Sequence, residues 1–471
     1  MTTVNATTDR SGQPLTTSHR ASADRYDAAV ESLLRFGDDV VDAWEATVAD
    51  DPGFAMGHIG RAYLRSLSSE GPDAADARVI LERLGDGAGL TDRERRHLDA
   101  ARAYAEGDLH GAAERLSVLS VEYPRDALAL VVGHQLDFYC GDAAGLRDRI
   151  GRSLLSWDHH DPWFGFLLGM HAFGLEECGL YAKAETAGMQ ALDREPRDVW
   201  AHHAVLHVHE MEGRFKAGLR FAEERRAYWE DGNLFVTHNA WHKALFHLEE
   251  DNTQAAMHIY DRAIHNAEST KVALEMLDAA ALLWRLHLSN AEVGGRWAPL
   301  ADAWAEKVDE PPWYVFNDVH ATMSLVAAGR LGDARAVVDR LRTYVNAHTS
   351  PSLSNVAMTA EVGLPVCSAI LAFGEGRYAD VVRLLHPIRK IVYRFGGSNA
   401  QRDAVARTLL EAAIRGGDTT LATALVSERL AIKDTSPFNW LQLARIRRAD
   451  ANVAEARNAE VAATNLRAAA A

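Results

Sequence analysis

Cysteine is scarce in this chain. Cys140, Cys178 and Cys367 are the only three in 471 residues, odd in number and far apart. That excludes a disulfide framework or a paired-cysteine zinc scaffold and fits a reducing compartment, the cytoplasm. Basic charge is also short: 50 Lys and Arg face 66 Asp and Glu, a formal net charge of −16. Phosphate backbones and anionic bilayers call for a basic face, so no nucleic-acid partner and no membrane partner is expected. No run approaches the roughly eighteen apolar residues of a membrane span, and the opening "MTTVNATTDRSGQPLTTSHR" lacks the apolar core of a secretion signal. Ready-made catalytic signatures are missing too: there is no HExxH, P-loop, GxSxG or dinucleotide fingerprint.

What is present is helix. The chain is 48% hydrophobic and 25% charged, with Ala-rich segments throughout, and its length exceeds the usual single-core limit of about 250–300 residues. Turn signals recur at Gly107, Gly141, Gly179 and Gly213, and prolines keep the same beat at Pro124, Pro162 and Pro196. The spacings of 34 and 38 residues match a unit of helix, tight turn and second helix, ended by a proline that cannot continue it. Between these marks the apolar spacing is helical, as in "YAKAETAGMQALDREP". The expected fold is all-α, an α-solenoid or right-handed superhelix of degenerate tetratricopeptide-like hairpins. Residues 1–22 read as a flexible arm, 23–290 as a first array, 291–448 as a second, and 449–471 as an Ala-rich helix or tail. The stretch from Leu288 to Pro312 interrupts the rhythm.

Histidine is concentrated. Thirteen of the 21 fall between His159 and His287. In "HHAVLHVHEMEGR", His203, His207 and Glu210 stand at i, i+4 and i+7, within about 60° of one another on a helix, with Trp200 a turn earlier. In "LFVTHNAWHKALFHLEE", His238 and His242 repeat the i, i+4 device beside Trp241. First helices of consecutive units line the inner face of a solenoid, so the two sets can converge. Histidine can serve there as acid or base, with Glu210 orienting it. The four residues His203, His207, His238 and His242 can instead ligate a transition metal, although no cofactor is the leading expectation. The third reading is that these imidazoles only hydrogen-bond between packed helices. Weaker candidates for ligand contact are Glu177 before a hairpin turn, and Asp278 and His320 on apolar helices. "RFGGSNAQRD" resembles an anion-binding helix start carrying Asn399, Gln401, Arg402 and Asp403, and is equally a capped helix with a local ion pair.

The motifs "AFGLEE", "WAHHAVLHVHEMEGR", "HNAWHKALFHLE", "DAAALLWRL" and "GGSNAQRD" resemble, in order, landmarks of the tetratricopeptide repeat protein 38 family, from about Arg93 to Asp434. The resemblance implies a superhelix of degenerate hairpins and marks His203, His207, Glu210, His238, His242, Gln401, Arg402 and Asp403. The chain departs from it at Asn399, where the family has histidine, and at Ala240, where it has tryptophan. The family label implies architecture and no particular reaction. Two functions are therefore weighed. One is an enzyme binding a small polar or anionic molecule between Trp200 and Trp241, with His203, His207, Glu210, His238 and His242 assisting hydrolysis, elimination or isomerisation. The other is a non-catalytic scaffold holding a peptide or protein partner in a concave groove, with a homodimer also open. Concentration of His, Glu and Trp in two neighbouring units favours the first.

Overall fold

The computed structural model describes residues 7–469, and among these no strand occurs, only isolated bridges such as Thr8 to Pro14. Residues 1–6 of the expected arm and 470–471 of the expected tail lie outside the described residues. The chain is all-α and of the tetratricopeptide-like, α-solenoid class. Its repeat signals work as local chemistry dictates. Gly107 and Gly213 turn the chain at φ 91° and 71°, where a β-carbon would be strained. The aspartates after two such glycines, Asp108 and Asp142, cap the second helices by accepting from Gly111 N–H and Gly145 N–H. The aspartates of "YPRD" and "EPRD", Asp126 and Asp198, cap the next first helices through Ala129 N–H and Ala201 N–H.

The helices fall into two compact units that do not follow the 23–290 and 291–448 division expected from the sequence. The first holds the chain up to Val205 with Ala227–Val236 and Thr349–Ala357, and the second holds Leu206–Arg226, Thr237–His348 and everything from Met358. Periodicity reports where hairpins turn, whereas compact units are decided by which hairpins share a core.

The first unit runs through α1 (Arg20–Arg35), α2 (Val40–Ala49), α3 (Ala55–Ser66), α4 (Gly71–Glu82), α5 (Asp92–Ala105), α6 (Leu109–Glu122), α7 (Ala127–Tyr139), α8 (Ala143–Ser153), α9 (Phe164–Glu177), α10 (Tyr181–Arg194) and the first half of α11 (Val199–Met211). Its leading segment is pinned from Thr7 onward. Leu15 is buried, Thr16 bonds Glu94 through backbone and hydroxyl, and buried Asp9 pairs with Arg93 at 2.8 Å. Helices α8 and α9 approach closely at Gly174, where an added β-carbon would lie 2.4 Å from Arg147 N and 2.6 Å from Arg147 Cα. Because backbone cannot swing aside as a side chain does, Gly174→Ala is expected to cost about 1–3 kcal/mol. Urea denaturation followed by circular dichroism reads this, and an unchanged midpoint would show that α8 yields freely.

The second unit continues with α12 (Phe215–Glu224), α14 (Val236–Glu249), α15 (Thr253–Ile259), α16 (Ala273–Leu288), α17 (Trp297–Ala305), α18 (Val315–Ala327), α19 (Leu331–Ala347), α21 (Leu364–Gly374), α22 (Tyr378–Leu385), α23 (Asn399–Arg415), α24 (Thr419–Ile432), α25 (Pro437–Ala449) and α26 (Val453–Ala469), whereas α13 (Arg226–Trp229) and α20 (Ser354–Met358) fall almost wholly in the first. Helix α16 packs against α17, α18 and α23. It is apolar nearly all round, and Asp278 and Arg285 on it are buried. The Ala-rich end is a packed helix: Ala456, Ala459 and Ala463 of α26 are buried, and α26 packs on α25. One apolar run is longer than the sequence reading allowed. Ser354–Gly374 is one helical stretch of 21 residues with mean hydropathy 1.8. Its α21 portion is buried in the second unit, packed on α18, α19 and α22.

Candidate functional site

The histidines of the opening motif lie on one helix whose two halves are assigned to different units. In its first half, Trp200 and His203 belong to an aromatic core of the first unit. Phe36 stacks on Trp200 at 5.2 Å between ring centroids, and His203 lies 4.9 Å from Phe173 and 5.0 Å from Phe235. His134, donating from Nε2 to the Met170 carbonyl, closes the cluster, and burial pushes its pKa down to about 3. Trp200 is thus walled in by protein rings rather than offered as the flat surface of a ligand site. Glu177 is buried on α9 in the same unit.

The second half of α11 supplies His207 and Glu210 to the second unit, where they meet α14 and α16. His207 and His242 rings stand 4.4 Å apart, and His238 and His242 rings 4.9 Å apart. His242 Nδ1–H donates to Glu210 at 3.1 Å, and His238 Nδ1–H donates to Asp278 Oδ2 at 2.7 Å. A carboxylate accepts only, so each pair fixes its ring with the proton on Nδ1 and the lone pair on Nε2. Burial, reinforced by His207, His238 and Arg285, holds His242 well below the ordinary imidazole range, so this ring is neutral at physiological pH. The cluster reaches solvent at His238, whose side chain is 14% exposed, and at Glu210, at 11%. Trp241 backs it, its ring stacked on His238 at 5.3 Å and 17°.

Arg285 completes the centre, and the sequence reading passed over it. It stands seven residues after Asp278 on α16, hence on the same face. Its guanidinium lies 5.3 Å from the Trp241 ring centroid and donates to the carbonyls of Ala281 and Ala400. Among the described residues no carboxylate comes within ion-pair distance of it. Burial pushes its pKa down to about 10, Asp403 opposing and Arg407 assisting. The available signal was an arginine inside "DAAALLWRL", a stretch otherwise too apolar to leave it in water. His320 sits in the same unit. Its Nδ1–H donates to the Phe316 carbonyl, its buried Nε2 meets no hydrogen-bond partner among the described residues, and burial together with Arg285 lowers it to about 4.

The motif expected to hold an anion is occupied by its own bonds. Ser398 and Gln401 form a capping box at the start of α23, which engages the N–H groups of both residues. Arg402 is turned onto the Gly396 and Gly397 carbonyls and onto Asn399 Oδ1. Asp403 pairs with Arg407 and Arg429 at 2.6 Å; burial alone would raise its pKa, but these arginines and Arg285 hold it well below the carboxylate range. Asn399, Gln401, Arg402 and Asp403 therefore build the loop and tie α23 to α24. The positive charge facing the centre comes from α16 instead.

No family model matches the chain. Among solved structures it is similar to a human IFIT1 dimer with PPP-AAAA (12% identity, 98% of this chain and 96% of that one, TM-score 0.40) and a human IFIT1 dimer with m7Gppp-AAAA (13%, 98% and 96%, 0.41). A monomeric IFIT1 mutant with Gppp-AAAA is similar at 14% identity over 94% of this chain and 100% of that one, with a TM-score of 0.40. These neighbours are described with Gppp-AAAA, PPP-AAAA and m7Gppp-AAAA, and the exclusion of a nucleic-acid partner expected from the sequence is withdrawn. That exclusion rested on net charge, a global sum blind to a local basic pocket.

Proposed function

We propose that the second unit binds a small polar anion at the centre formed by His207, Glu210, His238, His242, Asp278 and Arg285, and that the chain is an enzyme acting on it by hydrolysis, elimination or isomerisation. The observation that carries this reading is Arg285: a buried guanidinium without a carboxylate partner is costly in an empty site and is balanced when an anion enters. Trp241 supplies a flat apolar wall behind the ligand. The pairs His238–Asp278 and His242–Glu210 present oriented ring nitrogens for taking a proton from the substrate or from water. Membership of the tetratricopeptide repeat protein 38 family is part of the proposal, because the stretches carrying that resemblance also supply this centre. A cytoplasmic location suits the three cysteines, all of them free. An open peptide-holding groove is less favoured, since His207 and His242 are fully buried and a docked peptide needs side chains at the surface.

Calorimetric titration with inorganic phosphate and with a four-carbon dicarboxylate tests the reading. At least one should bind at one site per chain, and Arg285→Met should abolish that binding. Arg394→Met, which removes an exposed arginine paired with Glu361, should leave it unchanged. Absence of binding by either anion, or its persistence in Arg285→Met, overturns the proposal.

A further inference from the structure

We propose that His207, His238 and His242 form a binding site for a divalent transition metal ion of the zinc class, with Asp278 and Glu210 as the carboxylates that orient two of the ligands. The inference goes beyond the anion reading and stands whichever molecule binds at Arg285.

The first argument is distance. One ligand nitrogen from each of the three rings lies within 4.8 Å of the others. Nitrogens around a tetrahedral zinc ion at about 2.0–2.1 Å are separated by roughly 3.3–3.4 Å. Modest closing rotations of the rings cover the difference.

The second argument is protonation. Metal-bound imidazole is neutral and, as a rule, donates its other N–H to a carboxylate or a carbonyl. Two of the three rings already do so: His238 to Asp278 at 2.7 Å and His242 to Glu210 at 3.1 Å. These bonds commit Nδ1 as donor and leave Nε2 as the nitrogen with the lone pair.

The third argument is charge and ligand type. Three imidazoles with no thiolate suit zinc, copper, nickel or iron, and exclude a calcium or magnesium cage, which is built from oxygens. Asp278 and Glu210 together carry two negative charges beside the rings and compensate a divalent ion.

A simple packing role accounts for one buried histidine, but not for three rings on two helices with two carboxylates fixing matching tautomers. A second group, Asp158, His159 and His160, also lies close enough to share an ion but is exposed. It serves as the control.

The test uses full-length protein freed of any affinity tag, stripped with a chelator, loaded with Zn2+ or Co2+, desalted and analysed by elemental mass spectrometry and visible absorption. Wild type should retain about one ion per chain and show ligand-field bands of a nitrogen-ligated Co2+ site. His238→Ala and His242→Ala should lose the ion, while His159→Ala/His160→Ala should keep it. Asp278→Asn, which preserves shape, should weaken affinity by about 10–100-fold, so the site stays testable even where a histidine variant fails to fold. Wild type that retains no stoichiometric ion, or His238→Ala and His242→Ala proteins that hold it as wild type does, overturn the proposal. Arg285→Met should keep the metal while losing phosphate, so a failure here is distinguishable from a failure of the anion reading.

Discussion

Truncating Asp126 to alanine is expected to lower the stability of the protein by about 3–5 kcal/mol. Asp126 sits at the start of α7 and serves three neighbours at once. Its Oδ2 accepts from Arg93 at 3.2 Å and from His97 Nε2 at 2.9 Å, and its Oδ1 caps the helix through Ala129 N–H. All of these groups are buried, so Asp126→Ala leaves Arg93 with Asp9 alone, His97 without its acceptor, and α7 uncapped. Asp126→Asn keeps the cap and removes the charge, and the difference between the two variants isolates the cap at about 1 kcal/mol. The pH dependence follows from sign. Burial alone would raise the Asp126 pKa, but His97 and Arg93 outweigh it and hold it well below the carboxylate range. A depressed carboxylate contributes stability that is full above its unfolded pKa and is lost as pH falls through the folded value. The deficit of Asp126→Ala is thus complete at pH 7 and narrows only in acid, as wild type loses the same pair. Urea denaturation at pH 7 and in acid measures it, and a loss under 1 kcal/mol at pH 7 would show that Arg93 is held by something else. Because Asp9 shares Arg93, the same variant should also loosen the leading segment, seen as faster proteolysis there.

Arg285→Met is expected to act in the opposite direction, raising stability while removing anion affinity. Lowering a guanidinium to about 10 corresponds to on the order of 3 kcal/mol against the folded state. The sign is that of a cation whose folded pKa is depressed: the penalty is present across the whole physiological range, because the group stays charged in the unfolded chain. Its acceptors lose little. Ala281 and Ala400 lie within α16 and α23 and keep their helical partners. Methionine fills a similar volume and brings a sulfur to Trp241 in place of the guanidinium. A rise in melting temperature together with loss of phosphate binding is the signature of a residue kept for function at the expense of stability. A fall of 2 kcal/mol or more would instead make Arg285 a structural brace, and the argument from an unbalanced charge would go with it.

Local chemistry was legible without coordinates. Helix follows from the period of apolar residues, and the hairpin beat from the spacing of Gly107 to Gly213 and of Pro124 to Pro196. Each depends on interactions spanning only a few residues. The i, i+4 pairing of His238 with His242 was equally visible, since one helix defines it.

What needed the tertiary structure is everything that joins residues far apart in sequence. His203 and His207 share a helical face by arithmetic, but only packing shows that His203 stands beside Phe173 and Phe235 and His207 against His242. Asp278 meets His238 from 40 positions away. Arg402, the conspicuous arginine of a glycine-rich turn, is consumed by its own loop, while Arg285, inconspicuous in an apolar helix, carries the charge. Sequence spacing sets the direction of a side chain relative to its own helix axis. Only packing decides which axis lies opposite, and therefore whether a polar group finds a partner, a proton or an unfilled charge.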